Sequence, residues 1–211
     1  GLNFEIFSGS LRNAAYVTSD GELVPQGGSI KNEYAVRPAF YLKLNSVLFT
    51  FAAQGGKPSG KIGELSEVPN YDGNEWRLTL LDDSRNFAVT EQTISGKPGD
   101  TITLNYTGAQ TGDYEYVSVL LCDSNGAVLY YGNIAQNSAN GTATLTIPSG
   151  LTAGNYTLKV FSEQCNRNNN YSKCSTDYAS AFQDISLEIL PREETPNASF
   201  TATSHSGRIL S

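Results

Sequence analysis

Side chains able to do acid–base, nucleophilic or metal chemistry are few in this chain of 211 residues. The single histidine is His205, in the C-terminal tail, so no Ser-His-Asp or Cys-His triad can form in the body of the chain. A histidine-rich metal site is excluded on the same ground. Carboxylates remain, at Asp82 and Asp83, Asp113 and Glu115, Asp123 and Glu163. A glycosidase needs two of them facing each other across a cleft, and nothing in their spacing suggests it. The stretch GGKPSGKI, Gly55 to Ile62, nearly spells a phosphate loop, but Ile62 stands where a Ser or Thr would hold Mg²⁺. No helix-forming segment follows to supply a dipole, so a flexible Gly-Lys turn is the expectation. Asp123-Ser124-Asn125-Gly126 and Asp72-Gly73-Asn74 offer oxygen ligands for calcium. Neither fits the twelve-residue hand, and Asn-Gly is first a hairpin signal. No catalytic residue, cofactor or metal site is therefore assigned.

Three cysteines occur, at Cys122, Cys165 and Cys174. The last two bracket CNRNNNYSKC, a polar loop that a disulfide could close, stabilising the fold by roughly 2–3 kcal/mol. Such a loop is either a pinned binding loop or a stapled hairpin end. Arg167, Asn168, Asn169, Asn170 and Tyr171 are its candidate contact residues. Cys122, inside a strand-like run, reads as a buried thiol. Twelve tyrosines and one tryptophan are available for recognition, since exposed aromatic rings stack on sugars and anchor protein interfaces. Tyr114, Tyr116, Tyr130, Tyr131 and Tyr171 lie near strand ends or loops in the sequence pattern. N-x-S/T sequons begin at Asn105, Asn140, Asn155, Asn170 and Asn197, and in a bacterial protein they follow from an Asn/Thr-rich composition.

The elements that must position these residues are strands. Charged residues make up only 17% of the chain, and Gly, Pro or β-branched residues interrupt nearly every window that could form a helix. The net charge of −7 and the absence of any Lys/Arg run exclude a nucleic-acid partner. No apolar run approaches the ~20 residues of a membrane span. The chain contains no methionine and reads as a piece of a longer secreted product whose signal peptide has been removed.

Along the chain, AAYVTSDGELV reads as a hairpin with PQGGS as a loop after it. SVLFTF is a strand, and ELSEVPNYDGN a connector. From EWRLTLLD onward the alternation is regular. Ile102, Leu104 and Tyr106 share one face, as do Ala143, Leu145 and Ile147, then Tyr156, Leu158 and Val160, then Ile185, Leu187 and Ile189. Short alternating strands with frequent turn signals predict a β-sandwich with one solvated face per sheet. The start of PREETPNASFTATSHSGRILS reads as a linker.

Two resemblances sharpen this reading. NAAYVTSDGELV, a glycine loop and YAVRPAFYLKL resemble the C-terminal part of a domain-of-unknown-function family found in surface and secreted proteins of Gram-positive gut bacteria. That family is related to C-type-lectin-like and formylglycine-generating-enzyme folds. The matching residues are Ala14 to Val17, Asp20, Gly21 and Val36 to Leu44. The resemblance implies that Pro38 sits at a strand start, where a missing N–H is harmless, and that Arg37 turns inward as a structural clamp. The chain departs from the family in FEIFSGSLRNAAYV, which lacks the family's Trp-Leu-Arg-Ser-Pro-like string. Gly96 to Leu104 and Thr146 to Val160 resemble phrases of immunoglobulin-like modules in bacterial adhesins and cell-wall arrays. Tyr156 would then be a corner tyrosine.

The expectation is an all-β chain. Residues 1–66 form a C-type-lectin-like β remnant, 67–74 a connector, 75–190 an immunoglobulin-like sandwich, and 191–211 a linker or the start of a further module. The expected role is a non-catalytic module of a secreted or cell-surface bacterial protein, serving adhesion, presentation or spacing. Its partners would be host or cell-wall glycans or proteins. The alternatives are a carbohydrate-binding module and an accessory domain of an extracellular enzyme.

Overall fold

The structure is a computed structural model, and it describes residues 13–18, 22–29, 42–53, 55–57, 60–165 and 177–192. Arg37, Pro38, Arg167, Asn168, Asn169, Asn170, Tyr171 and Cys174 lie outside the described residues. The described residues are nearly all β, with one 3₁₀ turn, Leu44–Ser46, and no α-helix among them. The chain divides into two compact units, Gly1–Lys43 and Leu44–Ser211.

In the first unit, β1 (Asn13–Val17) and β2 (Leu23–Ser29) form an antiparallel hairpin. The Thr18 hydroxyl donates to the Glu22 carbonyl at 3.1 Å and accepts from the Glu22 N–H at 2.9 Å, which ties the turn. PQGGS, expected as a loop, is part of β2. The register slips between Ala14 and Tyr16, and Gly27 takes φ 71°. Pro25 falls within the bulge, outside the paired register, so its missing N–H costs no ladder hydrogen bond.

The second unit contains β3 (Val47–Ala52), β4 (Ser66–Glu67), β5 (Trp76–Leu81), β6 (Ala88–Val89), β7 (Thr93–Gly96), β8 (Thr101–Thr107), β9 (Glu115–Cys122), β10 (Val128–Gln136), β11 (Gly141–Thr146), β12 (Gly154–Gln164), β13 (Asp177–Ala179) and β14 (Gln183–Ile189). The large sheet runs β3-β5-β13-β12-β9-β10-β4, with β14 and β7 attached through β12. The small sheet is β11-β8-β6. The boundary expected at 67–74 falls inside this unit, because β3, which precedes it, is hydrogen-bonded to β5, which follows it. β4, which straddles the start of the expected connector, pairs with β10.

The alternating strands do what their period-2 pattern requires. β8 buries Ile102, Leu104 and Tyr106 and exposes the threonines and Asn105 between them. Together with Leu145 of β11 they pack on Val119, Leu121, Leu158, Val160, Ile185 and Leu187 of the large sheet. The hairpin joining β9 to β10 turns on Asp123, whose Oδ1 accepts the N–H groups of Asn125 and Ala127 at 2.9 and 2.8 Å. Gly126 takes φ 83° there, as a tight turn demands.

β9 departs from simple alternation, since its last six residues are all buried. Val119 and Leu121 face the first core, while Leu120 and Cys122 face a second one on the opposite side of the sheet. Phe51, Tyr131, Phe161 and Ala179 complete that second core, with Phe49 and Phe182 against it. β12 is where the large sheet forks. It pairs with β9 along one edge; along the other it pairs with β14 up to Val160 and with β13 from Glu163. The fork carries β13, β5 and β3 over the second core.

Candidate functional site: a buried cluster of opposite charges

Lys57 enters the second core just after β3. The GGKPSGKI segment, expected as a flexible Gly-Lys turn, buries its first lysine, whose side chain is only 4% exposed. Two glycines make this possible. Gly55 takes φ 68°, and a Cβ on Gly56 would lie 2.5 Å from the backbone N and O of Ala52. The chain therefore folds back tightly against the end of β3, and the Lys57 side chain turns inward.

The other members come from strands. β5 alternates, so Arg77 and Thr79 share a face. β13 pairs with β5 in parallel, setting Asp177 opposite Thr79. β12 presents Phe161 and Glu163 on one face, and β10 contributes Tyr131 and Asn133. Lys57 Nζ donates to Glu163 Oε2 at 2.7 Å, Asp177 Oδ2 at 2.9 Å and Thr79 Oγ1 at 3.0 Å. All three ammonium protons are used. Arg77 grips Asp177 with both arms, Nε to Oδ2 at 2.7 Å and Nη2 to Oδ1 at 2.9 Å. Tyr131 donates its hydroxyl to Glu163 Oε1. Asn133 Nδ2 donates to Tyr131 Oη at 3.1 Å and to Ser118 Oγ at 2.7 Å.

Two cations and two anions balance in this site. Glu163 and Asp177 are fully buried, and the Arg77 side chain is 13% exposed. Aromatic rings wall it in. Nζ lies 4.9 Å from the Phe49 centroid and 5.8 Å from that of Tyr131. Phe51 meets Tyr131 edge to face at 5.5 Å, and Phe161 lies 5.3 Å from Phe49. Burial alone would push the Lys57 ammonium down. The Glu163 charge, with Cys165 and Asp177 behind it, outweighs that and leaves its pKa above the ordinary value. Burial likewise pushes Glu163 up, but the Lys57 charge and hydrogen bond win and hold it low. The Tyr131 phenol is pushed well up by burial and then by the Glu163 charge.

The residues singled out from sequence lie elsewhere. Tyr156, at the start of β12, donates its hydroxyl to the Thr152 carbonyl at 3.1 Å and lies 3.2 Å from the Thr152 hydroxyl. Cys165 is buried just past the end of β12; the bridge expected to Cys174 involves a residue outside the described ones. Cys122 is a buried thiol, its pKa raised by burial. Tyr131, grouped with tyrosines of loops and strand ends, is fully buried. Its place in mid-β10 explains why. Tyr114 is 52% exposed and takes φ 68° ahead of β9. Tyr71 and Trp76 are exposed and touch edge to face, with centroids 4.7 Å apart and planes at 84°.

Sequence reasoning missed Lys57, Arg77 and Asp177, and counted Glu163 only as one carboxylate among several. The usable signal is a lone charge inside an otherwise largely apolar strand, as Arg77 is in WRLTLL. No known family model matches the chain, and no curated protein matches it significantly.

Proposed function

We propose that this chain is a non-catalytic module of a secreted or cell-surface bacterial protein, with an immunoglobulin-like sandwich that spaces or presents neighbouring segments. One observation carries the reading. The densest constellation of ionisable groups among the described residues is sealed inside the fold, with side chains 0–13% exposed. Groups so enclosed hold strands together and meet no external substrate. The Tyr156 hydroxyl reaching back to Thr152 supports the immunoglobulin-like assignment, because a tyrosine corner ties such sandwiches in the same way. The hairpin of β1 and β2 is compatible with the lectin-like remnant. Contact with glycans or proteins belongs to the loop between Cys165 and Cys174. A sugar-binding aromatic platform needs coplanar rings, and Tyr71 and Trp76 meet nearly perpendicular.

The test is a panel of peptide, ester and glycoside substrates beside glycan and protein arrays, with calcium and with chelator. The expected outcome is no turnover. Reproducible array binding that Tyr171→Ala abolishes assigns the module to adhesion, and a blank on folded protein assigns it to spacing. Turnover that follows the protein through purification overturns the reading.

A further inference from the structure

We propose that the hollow beside Tyr178, where β12 ends and the turn after β5 begins, binds a neutral sugar by its ring face and its adjacent hydroxyls. The hollow measures about 400 Å³, within the range of about 300–1,000 Å³ usual for small-molecule sites. Leu81, Asp82, Asp83, Arg85, Gln164 and Tyr178 line it, and none of them belongs to the buried charge cluster. Strand pairing builds one side. Gln164, the last residue of β12, stands directly opposite Tyr178 of β13 and, on its other edge, Glu115 of β9. Successive residues of a strand face opposite ways, so Gln164 and Tyr178 point away from Glu163 and Asp177. The other side is the turn after β5. It is tied to β13 by the Asp82 N–H, which donates to the Ala179 carbonyl at 2.8 Å.

Arg85 supplies the hollow with donors that the chain leaves unused. Its side chain is only 7% exposed. Three of its five N–H groups are bonded, one to Asp82 and two to Glu115. The remaining N–H groups have no partner among the described residues, although donors so buried are nearly always paired. A donor of this kind takes its acceptor from solvent or from a ligand. Asp82 and Glu115 grip the guanidinium from two sides, so its orientation is set before any ligand arrives. Asp83 is exposed at the rim and Gln164 is half-buried. Neither side chain has a hydrogen-bond partner among the described residues.

This chemistry selects the ligand. The carboxylates of Asp82, Asp83 and Glu115 outnumber the one guanidinium, so an anion is repelled. An ammonium group suits Asp83 and the Tyr178 ring, but it has no lone pair for the unused Arg85 donors. A metal ion needs several carboxylates at once, and Asp82 and Glu115 are already occupied by Arg85. A sugar hydroxyl both donates and accepts. Adjacent hydroxyls accept from Arg85 and donate to Asp83 or to the Gln164 side-chain oxygen. The C–H face of the ring then lies on Tyr178, which is 42% exposed. The proposal rests on the adhesion side of the proposed function. It gives that reading a ligand class and a place outside the loop between Cys165 and Cys174.

The experiment is a titration of the isotope-labelled full chain with glucose, galactose, mannose and N-acetylglucosamine, read by the backbone amide shifts. At least one of these sugars should move the amides of Asp83, Arg85, Gln164 and Tyr178 together and to saturation. Glucuronic acid should bind about tenfold more weakly or not at all. Tyr178→Ala and Asp83→Ala, with folds checked by circular dichroism, should each weaken binding about tenfold or more, and Tyr171→Ala should leave it unchanged. A folded chain whose amides no sugar moves overturns the proposal. So do shifts that both Tyr178→Ala and Asp83→Ala leave intact, equal binding of glucuronic acid, or a trilysine peptide that moves these amides when the sugars do not. Substrate turnover would overturn the non-catalytic reading and moves none of these amides, so the two failures are told apart.

Discussion

β12 buries two different materials on its two faces. Leu158 and Val160 meet an all-apolar layer from β8, β11 and β14. Phe161 and Glu163, on the other face, meet rings that surround four charges. The first face is held by area removed from water, which is non-directional and tolerates small adjustments. The second depends on each donor and acceptor finding its partner, because an unmatched charge there has no solvent to fall back on. One strand thus carries a forgiving core and an exacting one.

The largest effect should come from removing one charge on the exacting side. Lys57→Ala leaves Glu163 and Asp177 with only Arg77 as counter-charge, and breaking a buried ion pair in this way costs about 3–5 kcal/mol. Leu158→Ala on the forgiving side should cost about 2–5 kcal/mol by transfer and cavity terms. The two differ in rescue. Combining Lys57→Met with Glu163→Gln removes one charge of each sign and leaves the Arg77–Asp177 pair intact, so most of the stability should return. Urea unfolding of the single and double variants checks this. A double variant as unstable as Lys57→Ala would mean that charge balance does not govern the site.

A milder change compares single hydroxyls. Tyr131→Phe removes the donor to Glu163 Oε1 and the acceptor for Asn133 Nδ2 in a fully buried setting. It should cost about 1–3 kcal/mol, the penalty of unsatisfied buried polar groups. Tyr156→Phe removes a bond to the Thr152 carbonyl that water can replace, so it should cost about 1 kcal/mol or less. Equal losses in thermal unfolding would break the contrast.

What could be read from sequence divides along the same line. The apolar face was legible because threonines between Ile102, Leu104 and Tyr106 mark solvent, and alternation needs a solvated side to be visible. β9 has no such side, so YVSVLLC shows that it is buried without showing two cores. The charged cluster was not legible. Its members come from positions 57, 77, 163 and 177, brought together by a fork at β12 and a parallel β5–β13 pairing that no local pattern encodes. The glycines before Lys57 were visible, but they looked like freedom rather than close approach. In β2, Pro25 and two glycines looked like a break; the ladder absorbs them in a bulge.

The smallest effect tests where the exacting rules stop. At the turn after β5, Asp82 Oδ1 accepts from the Ser84 hydroxyl at 2.6 Å and its N–H at 3.1 Å, while Oδ2 accepts from Arg85 Nε at 3.1 Å. Arg85 also grips Glu115 at 2.6 and 3.0 Å. The Ser84 hydroxyl, helped by its N–H and by Arg85, holds the Asp82 carboxyl below its ordinary value. Its stabilisation is therefore present above the unfolded carboxylate pKa of about 4 and is lost as pH falls through the lower folded value. Asp82→Asn should flatten that acid limb, at a neutral-pH cost of at most about 1 kcal/mol, because the carboxylate is 32% exposed and water screens it. Added salt should shrink this difference further and leave the Lys57→Ala loss nearly unchanged, since mobile ions do not reach the aromatic-walled site. Chemical unfolding of both variants at low and high salt checks the two together. A Lys57→Ala loss that salt erased would show the cluster to be wet, which would remove the exacting character of that face.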